Sequence, residues 1–314
     1  MEAPSRHAIA EDAVAPFPAE AAADDHLLAP ARSSRYAATQ HAIRSQGALD
    51  IVFRADTDRH PRRHILGRSF QSGCLRLRLP RGESAEMPGA IIINTAGGIA
   101  GGDILSQSFR WEEGARATVT TQAAEKVYRT LSHLPAATVD TMLHVGRDAH
   151  AEWLPQEAIL FDDSRLHREA RVLLDARATF LGVEAVILGR AAMGEAMRTG
   201  SLSDRLRIWR DGRLVYADAL RLDGEVEQLV RRAAIADGMR AMAVIVHAGP
   251  SAPAMLEPLR AAMAGARARA AASARNGLLG VRLLAPDGET LRGDIAMAFA
   301  VLRQGRPLPR VWRC

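Results

Sequence analysis

The chain has 314 residues, 48% of them hydrophobic and 25% charged, with a net charge of +5. That balance excludes wholesale disorder and collagen-like sequence, and no run of 18 apolar residues offers a membrane span. The basic excess is arginine scattered along the chain, with Lys126 the single lysine, so it reads as compositional bias rather than a nucleic-acid-binding stripe.

Residues 1–34 are rich in alanine, acid and proline, with Pro4, Pro16, Pro18 and Pro30 breaking any helix; a disordered leader is expected there. The rest divides into a β-rich body over 35–224 and an α/β module over 225–314, expected to pack on the body. In the body, residues 73–79 and 138–145 alternate with period two, and Asp211-Gly212 joins two strand patterns as a hairpin turn. No long helical pattern interrupts 47–222, which argues against βαβ units. Stacked antiparallel sheets in β-helix-like layers are the expected architecture.

A weak echo supports layering. Residues 113–119, 147–153 and 174–180 each read as a turn, a small residue and an apolar strand entry. The spacing is too uneven for a strict solenoid and is read here as stacked hairpins. The last third predicts helices over 225–240, 253–274 and 291–303, strands over 241–246 and 278–284, and a turn at Asp287-Gly288. Cys74 and Cys314 form no disulfide framework or zinc knuckle. No secretory signal is evident, so a reducing cytoplasm is the expected compartment.

Four patches carry candidate chemistry. In the first, a strand runs into Gly97, Gly98, Gly101 and Gly102 and ends at Asp103. A phosphate loop needs lysine where Asp103 stands, and a strand rather than a helix follows. What remains is a turn where backbones approach closely. The second, residues 118–129, holds Thr121, Gln122, Lys126 and Tyr128; a lysine surviving among forty arginines suggests a need for a compact ammonium. The third holds Glu157, Asp162 and Asp163, and the fourth Glu184 in an apolar strand with Glu195 after a glycine bend. Glu157, Asp162 and Asp163 could also serve a polysaccharide hydrolase or lyase, but aromatics make up only 4% of the chain. The dispersed histidines form no H-E-x-x-H, and there is no nucleophile elbow, so no catalytic residue is assigned.

These patches, in this order, resemble the urease accessory protein D/H family (UreD, or UreH). The resemblance runs over about residues 45–314 and extends to the C-terminal Pro309-Arg-Val-Trp-Arg313. Two departures stand out: Thr95-Ala96 replaces the family's Pro-Pro, and Glu125 replaces a threonine before the lysine. The resemblance implies a non-catalytic scaffold that binds apo-urease with the partners UreF and UreG, the latter a GTPase. It holds no tightly bound cofactor, and Ni2+ is at most transient. It further implies an internal acidic nickel route through Asp103, Glu157 and Glu195, and partner contacts at Gly97, Gly98, Gly101, Gly102, Thr121, Gln122, Lys126 and Tyr128. The alternative is a pure protein–protein scaffold that nickel never touches. Separated carboxylates suit passage, because a Cys/His cage would retain the ion.

Overall fold

The chain builds two layered sheets by crossing between them, coil after coil. The computed structural model describes residues 44–56, 63–80 and 86–313; the leader expected at 1–34 lies outside the described residues. The strands are β1 (Gln46–Asp56), β2 (Arg63–Gly73), β3 (Leu75–Arg78), β4 (Gly89–Asn94), β5 (Ile104–Trp111), β6 (Arg116–Thr121), β7 (Glu125–Val127), β8 (Ala137–Val145), β9 (His150–Leu154), β10 (Ala158–Leu160), β11 (Arg165–Leu174), β12 (Thr179–Leu188), β13 (Gly200–Arg210) and β14 (Arg213–Gly224). After helix α1 (Val226–Arg231) come β15 (Ala241–Ala248), α2 (Leu256–Met263), β16 (Arg269–Arg275), β17 (Leu278–Ala285) and α3 (Gly288–Leu302).

One sheet has the order β14-β13-β11-β8-β5-β1-β2; the other runs β16-β17-β15-β12-β9-β6-β4-β3. The mainly β class and the layering are as expected. The pairing sense is not: β1-β5-β8-β11-β13 and β4-β6-β9-β12 are parallel. Alternation along one strand is the same for either sense, so it could not decide between them. The parallel connections need no helix here, because each crossover is itself a strand of the other sheet.

The echo marks the corner where each coil passes from the first sheet to the second. Ala115, Ala149 and Ala178 are buried there, each closing a turn through its amide. His150 N donates to Ala115 O and Thr179 N to Ala149 O, both at 2.9 Å, so the corners stack directly. They are coil corners rather than hairpins. The third sequence copy is also two residues out of register, since Thr179 rather than Arg177 pairs with His150.

Two apolar layers flank the second sheet. Between the sheets lie Phe53, Phe109, Trp111, Trp153 and Phe180. Trp111 stacks 5.4 Å from Phe53 and donates its indole N–H to Ala117 O at 3.0 Å. Beyond the second sheet, Leu154, Leu181 and Val183 meet Leu291, Ile295, Phe299 and Leu302 of α3. β12 is therefore covered on both faces, which explains its continuous apolar run. Burying a side chain such as Phe299 stabilises the fold by about 1.5–3 kcal/mol. Trp312 seals this layer, donating to Leu154 O at 3.0 Å and Thr120 Oγ1 at 3.2 Å.

The hairpin at Asp211-Gly212 is present, with φ of 49° and 74°. Residues 225–314 differ more from expectation. α1 covers only Val226–Arg231, and the helix expected over 253–274 ends at Met263. Arg269–Arg275 instead pairs with β17 through a positive-φ turn at Asn276-Gly277. Alanine's helix preference gives way there to an open sheet edge and a strong hairpin turn. Asp287 is the N-cap of α3, accepting from Thr290 N at 2.8 Å. β15, β17 and β16 continue the second sheet past β12.

Candidate functional site

The return side of the coil, from second sheet to first, is built from long connections. Their middles form a short parallel ladder: Ile99 bridges Val127, β7 pairs β10, and β10 pairs the end of β12. The four motifs, far apart in sequence, are thus successive rungs on one side of the molecule.

The top rung explains the glycines. A Cβ at Gly98 would sit 2.3 Å from the Tyr128 ring, and one at Gly101 would sit 2.3 Å from Thr130 Cγ2. Tyr128 lies over the turn, donates its hydroxyl to Gly97 O at 3.0 Å, and meets Phe161 edge-on at 5.2 Å. Gly97 and Gly102 turn the chain at either end of the motif with positive φ. Lys126 and Tyr128 are exposed on the next rung, with Gln122 exposed at its start. Thr121 Oγ1 accepts from Gln156 N at 2.9 Å, tying the second rung to the third.

The three carboxylates assigned to a nickel route sit in separate surroundings. Asp103 is buried, and its two oxygens accept the Ser45 and Ala100 amides at 2.8 Å each. Glu157 faces Arg292 of α3 at 3.5 Å. Glu195 pairs with Arg190 and accepts the Asp162 amide at 3.3 Å. Arg190 in turn stacks 4.0 Å above the Phe161 ring. Asp162 is held by the Arg198 and Thr199 amides, and Asp163 by Thr199 and Arg129. Among the described residues, no group of three or more His, Cys, Asp or Glu side chains gathers to hold a metal ion.

Glu125, the departure from the family pattern, is the perturbed acid of this side. Burial pushes its carboxyl up to about 7, against a 3.2 Å hydrogen bond from Asn94 Nδ2. Asn94 also donates to Gly98 O at 3.0 Å, so the acid and the glycine turn share one amide.

Sequence reasoning missed two buried ion clusters. Between the sheets, Arg168 bridges Glu184 at 3.0 Å and Asp204 at 2.6 Å, and Trp153 donates to Glu184 at 3.0 Å. Behind the second sheet, Glu152 meets Arg303 at 3.0 Å, Arg306 at 2.7 Å and Thr118 at 2.6 Å. Burial alone would raise the Glu152 carboxyl, but Arg303 with its neighbours holds it below its ordinary value. Glu152 and Arg303 lie 151 positions apart, so no local pattern links them. The polar Glu184 in an apolar strand was the one available signal.

Fold and site together define a parallel β-coil scaffold, with a plain corner on one side and a motif-bearing ladder on the other. A family model described as UreD urease accessory protein matches residues 45–313. The chain is 50% identical over 244 residues to the urease accessory protein UreD of Xanthobacter autotrophicus, covering 77% of this chain and 82% of that one. It is 47% identical over 242 residues to UreD of Azorhizobium caulinodans, covering 77% and 88%. With UreD 3 of Methylorubrum extorquens it shares 44% over 273 residues, covering 86% and 90%. The chain belongs to the UreD urease accessory protein family: it is a factor in urease maturation, not an enzyme. Among the described residues, no helix is long and apolar enough to cross a membrane.

Proposed function

We propose that the chain acts in the cytoplasm as a scaffold that binds apo-urease together with UreF and UreG and supports nickel insertion, with the ladder side as its docking surface. The observation that carries this reading is the stacking of the four motifs on one side, with Gln122, Lys126 and Tyr128 exposed upon it. Tyr128 offers an exposed aromatic ring, a residue type enriched at interface cores, with the exposed ammonium of Lys126 two positions before it. Lys126→Glu with Tyr128→Ala should abolish co-purification of the three partners while leaving the circular dichroism spectrum intact. Full complex formation by that variant would overturn the docking surface.

Nickel passage along Asp103, Glu157 and Glu195 is the finer part of the proposal. All three belong to the motifs of this side. Each is already engaged, so an ion would displace the Ser45 and Ala100 amides, Arg292 or Arg190 in turn. Such displacement gives weak, exchangeable binding, which a route requires. Alanine at all three positions should leave the complex assembled and lower urease nickel content. Normal nickel loading in that variant would leave the docking scaffold alone.

A further inference from the structure

The C-terminal Pro309-Arg-Val-Trp-Arg313 is no rung of the ladder, yet it closes on the strands that feed two of them. The Trp312 indole N–H reaches both Leu154 O and Thr120 Oγ1. Thr120 and Leu154 are register partners, near the end of β6 and at the end of β9.

Between β6 and β7 the chain bends at residues 122–124 and exposes Gln122 and Ala123. Both ends of the bend are held by residues 156–157. At its start, Thr121 Oγ1 donates to Ala123 O at 3.1 Å and accepts from Gln156 N at 2.9 Å. Gln156 Nε2 donates to Thr121 O at 3.1 Å. At its end, Glu125 N donates to Glu157 O at 2.9 Å.

Gln156 is 5% exposed, and both of its side-chain N–H groups are used. The second goes to Val311 O at 3.3 Å, while Oε1 accepts from Arg292 of α3. A carbonyl only accepts and a guanidinium only donates, so the amide has one workable orientation. Turned over, it would set oxygen against two carbonyls and N–H against a cation. Arg292 is fixed in its turn, 3.5 Å from Glu157 and 5.4 Å from the Trp312 ring. Trp312 meets Phe299 of α3 edge-on at 5.4 Å. The bend is thereby joined to α3 and to the C-terminal segment at a single buried side chain.

We propose that Gln156 is a positioning residue of the docking surface: α3 through Arg292, and the C-terminal segment through Val311, hold the exposed bend at Gln122 ready for a partner protein. This rests on the ladder side being the docking surface. A loose bend would have to be ordered when the partner binds, which weakens affinity; a bend already fixed from behind does not.

The test measures partner affinity of the full chain together with amide hydrogen exchange. Arg292→Ala removes the donor to Gln156 from a side chain that is 25% exposed. Exchange at Gln122 and Glu125 should quicken by at least about tenfold while β12 and β15 keep their protection. Affinity for the partners should fall by about 2- to 30-fold. Gln156→Glu keeps an oxygen for Arg292 but loses both side-chain N–H bonds, and should act more strongly in the same direction. The positioning role requires both changes, with exchange confined to the bend. Unchanged affinity overturns it, and so does faster exchange across β9 and β12, which would make Arg292 part of the general framework. Lys126→Glu with Tyr128→Ala separates the two readings. If that variant loses the partners while Arg292→Ala keeps them, the docking surface stands and the positioning role fails. If both keep the partners, the docking surface itself is wrong.

Discussion

The coil turns at two sides, and the two are built differently. At the corner side, each passage is a tight turn closed by a buried alanine, and successive turns bond directly to one another. At the ladder side, the passages are long, carry glycines and carboxylates, and leave Lys126, Tyr128 and Met193 exposed. The corners are fixed by the need to stack one coil on the next. The ladder connections exceed that need, and their surplus residues are held partly from outside the ladder, as Glu157 is by Arg292 of α3 and Asp103 by the Ser45 amide. A side whose chemistry exceeds what packing demands is where recognition is expected.

Substitutions can break or sharpen this contrast. The largest effect belongs behind the corner side. Glu152→Ala leaves Arg303 buried without its carboxylate and should cost about 3–5 kcal/mol by denaturant unfolding. A loss below 1 kcal/mol would mean that the cluster is incidental to the fold. Next is the corner itself. Ala149→Leu should destabilise by about 1–3 kcal/mol through overpacking, whereas Met193→Ala, at a 74% exposed ladder position, should stay within about 0.5 kcal/mol. Equal effects at the two would dissolve the contrast.

Glu125 gives a pH-dependent test on the ladder side. Its folded pKa of about 7 lies above the ordinary 4.5. The folded chain therefore keeps a proton that the unfolded chain releases between those values. The resulting stability is fully present below pH 4.5 and is lost as pH rises through 7. Glu125→Gln should match the parent at pH 4.5 and exceed it by on the order of 1–2 kcal/mol at pH 8, checked by unfolding at both values. A gain that is the same at both pH values would assign the effect to packing. The smallest stability effect is expected for Lys126→Glu, within about 0.5 kcal/mol, together with the loss of partner binding. A large stability loss there would make Lys126 part of the framework.

What the sequence revealed follows the same division. The Asp211-Gly212 hairpin, the strand at Ala241–Ala248 and the corner echo were legible because each rests on local chemistry: turn residues, apolar runs and small residues at stacking points. The parallel sense was not, because it depends on which sheet receives the next strand. Arg269–Arg275 read as helix because alanine's propensity outweighed the Asn276-Gly277 turn that follows it. The candidate carboxylates were found as residues, but their separate surroundings were not. Arg292 reaches Glu157 across 135 positions, and Ser45 reaches Asp103 across 58.

The seal at Trp312 also bears on how the protein is made. On the ribosome, β12 emerges well before residue 312, and synthesis proceeds at about 5–20 residues per second. For on the order of ten seconds, a nascent chain would hold Leu154 and Leu181 on a part-built and uncovered apolar sheet face. That interval is when the growing polypeptide is most prone to stick to its neighbours and has most to gain from a holding chaperone.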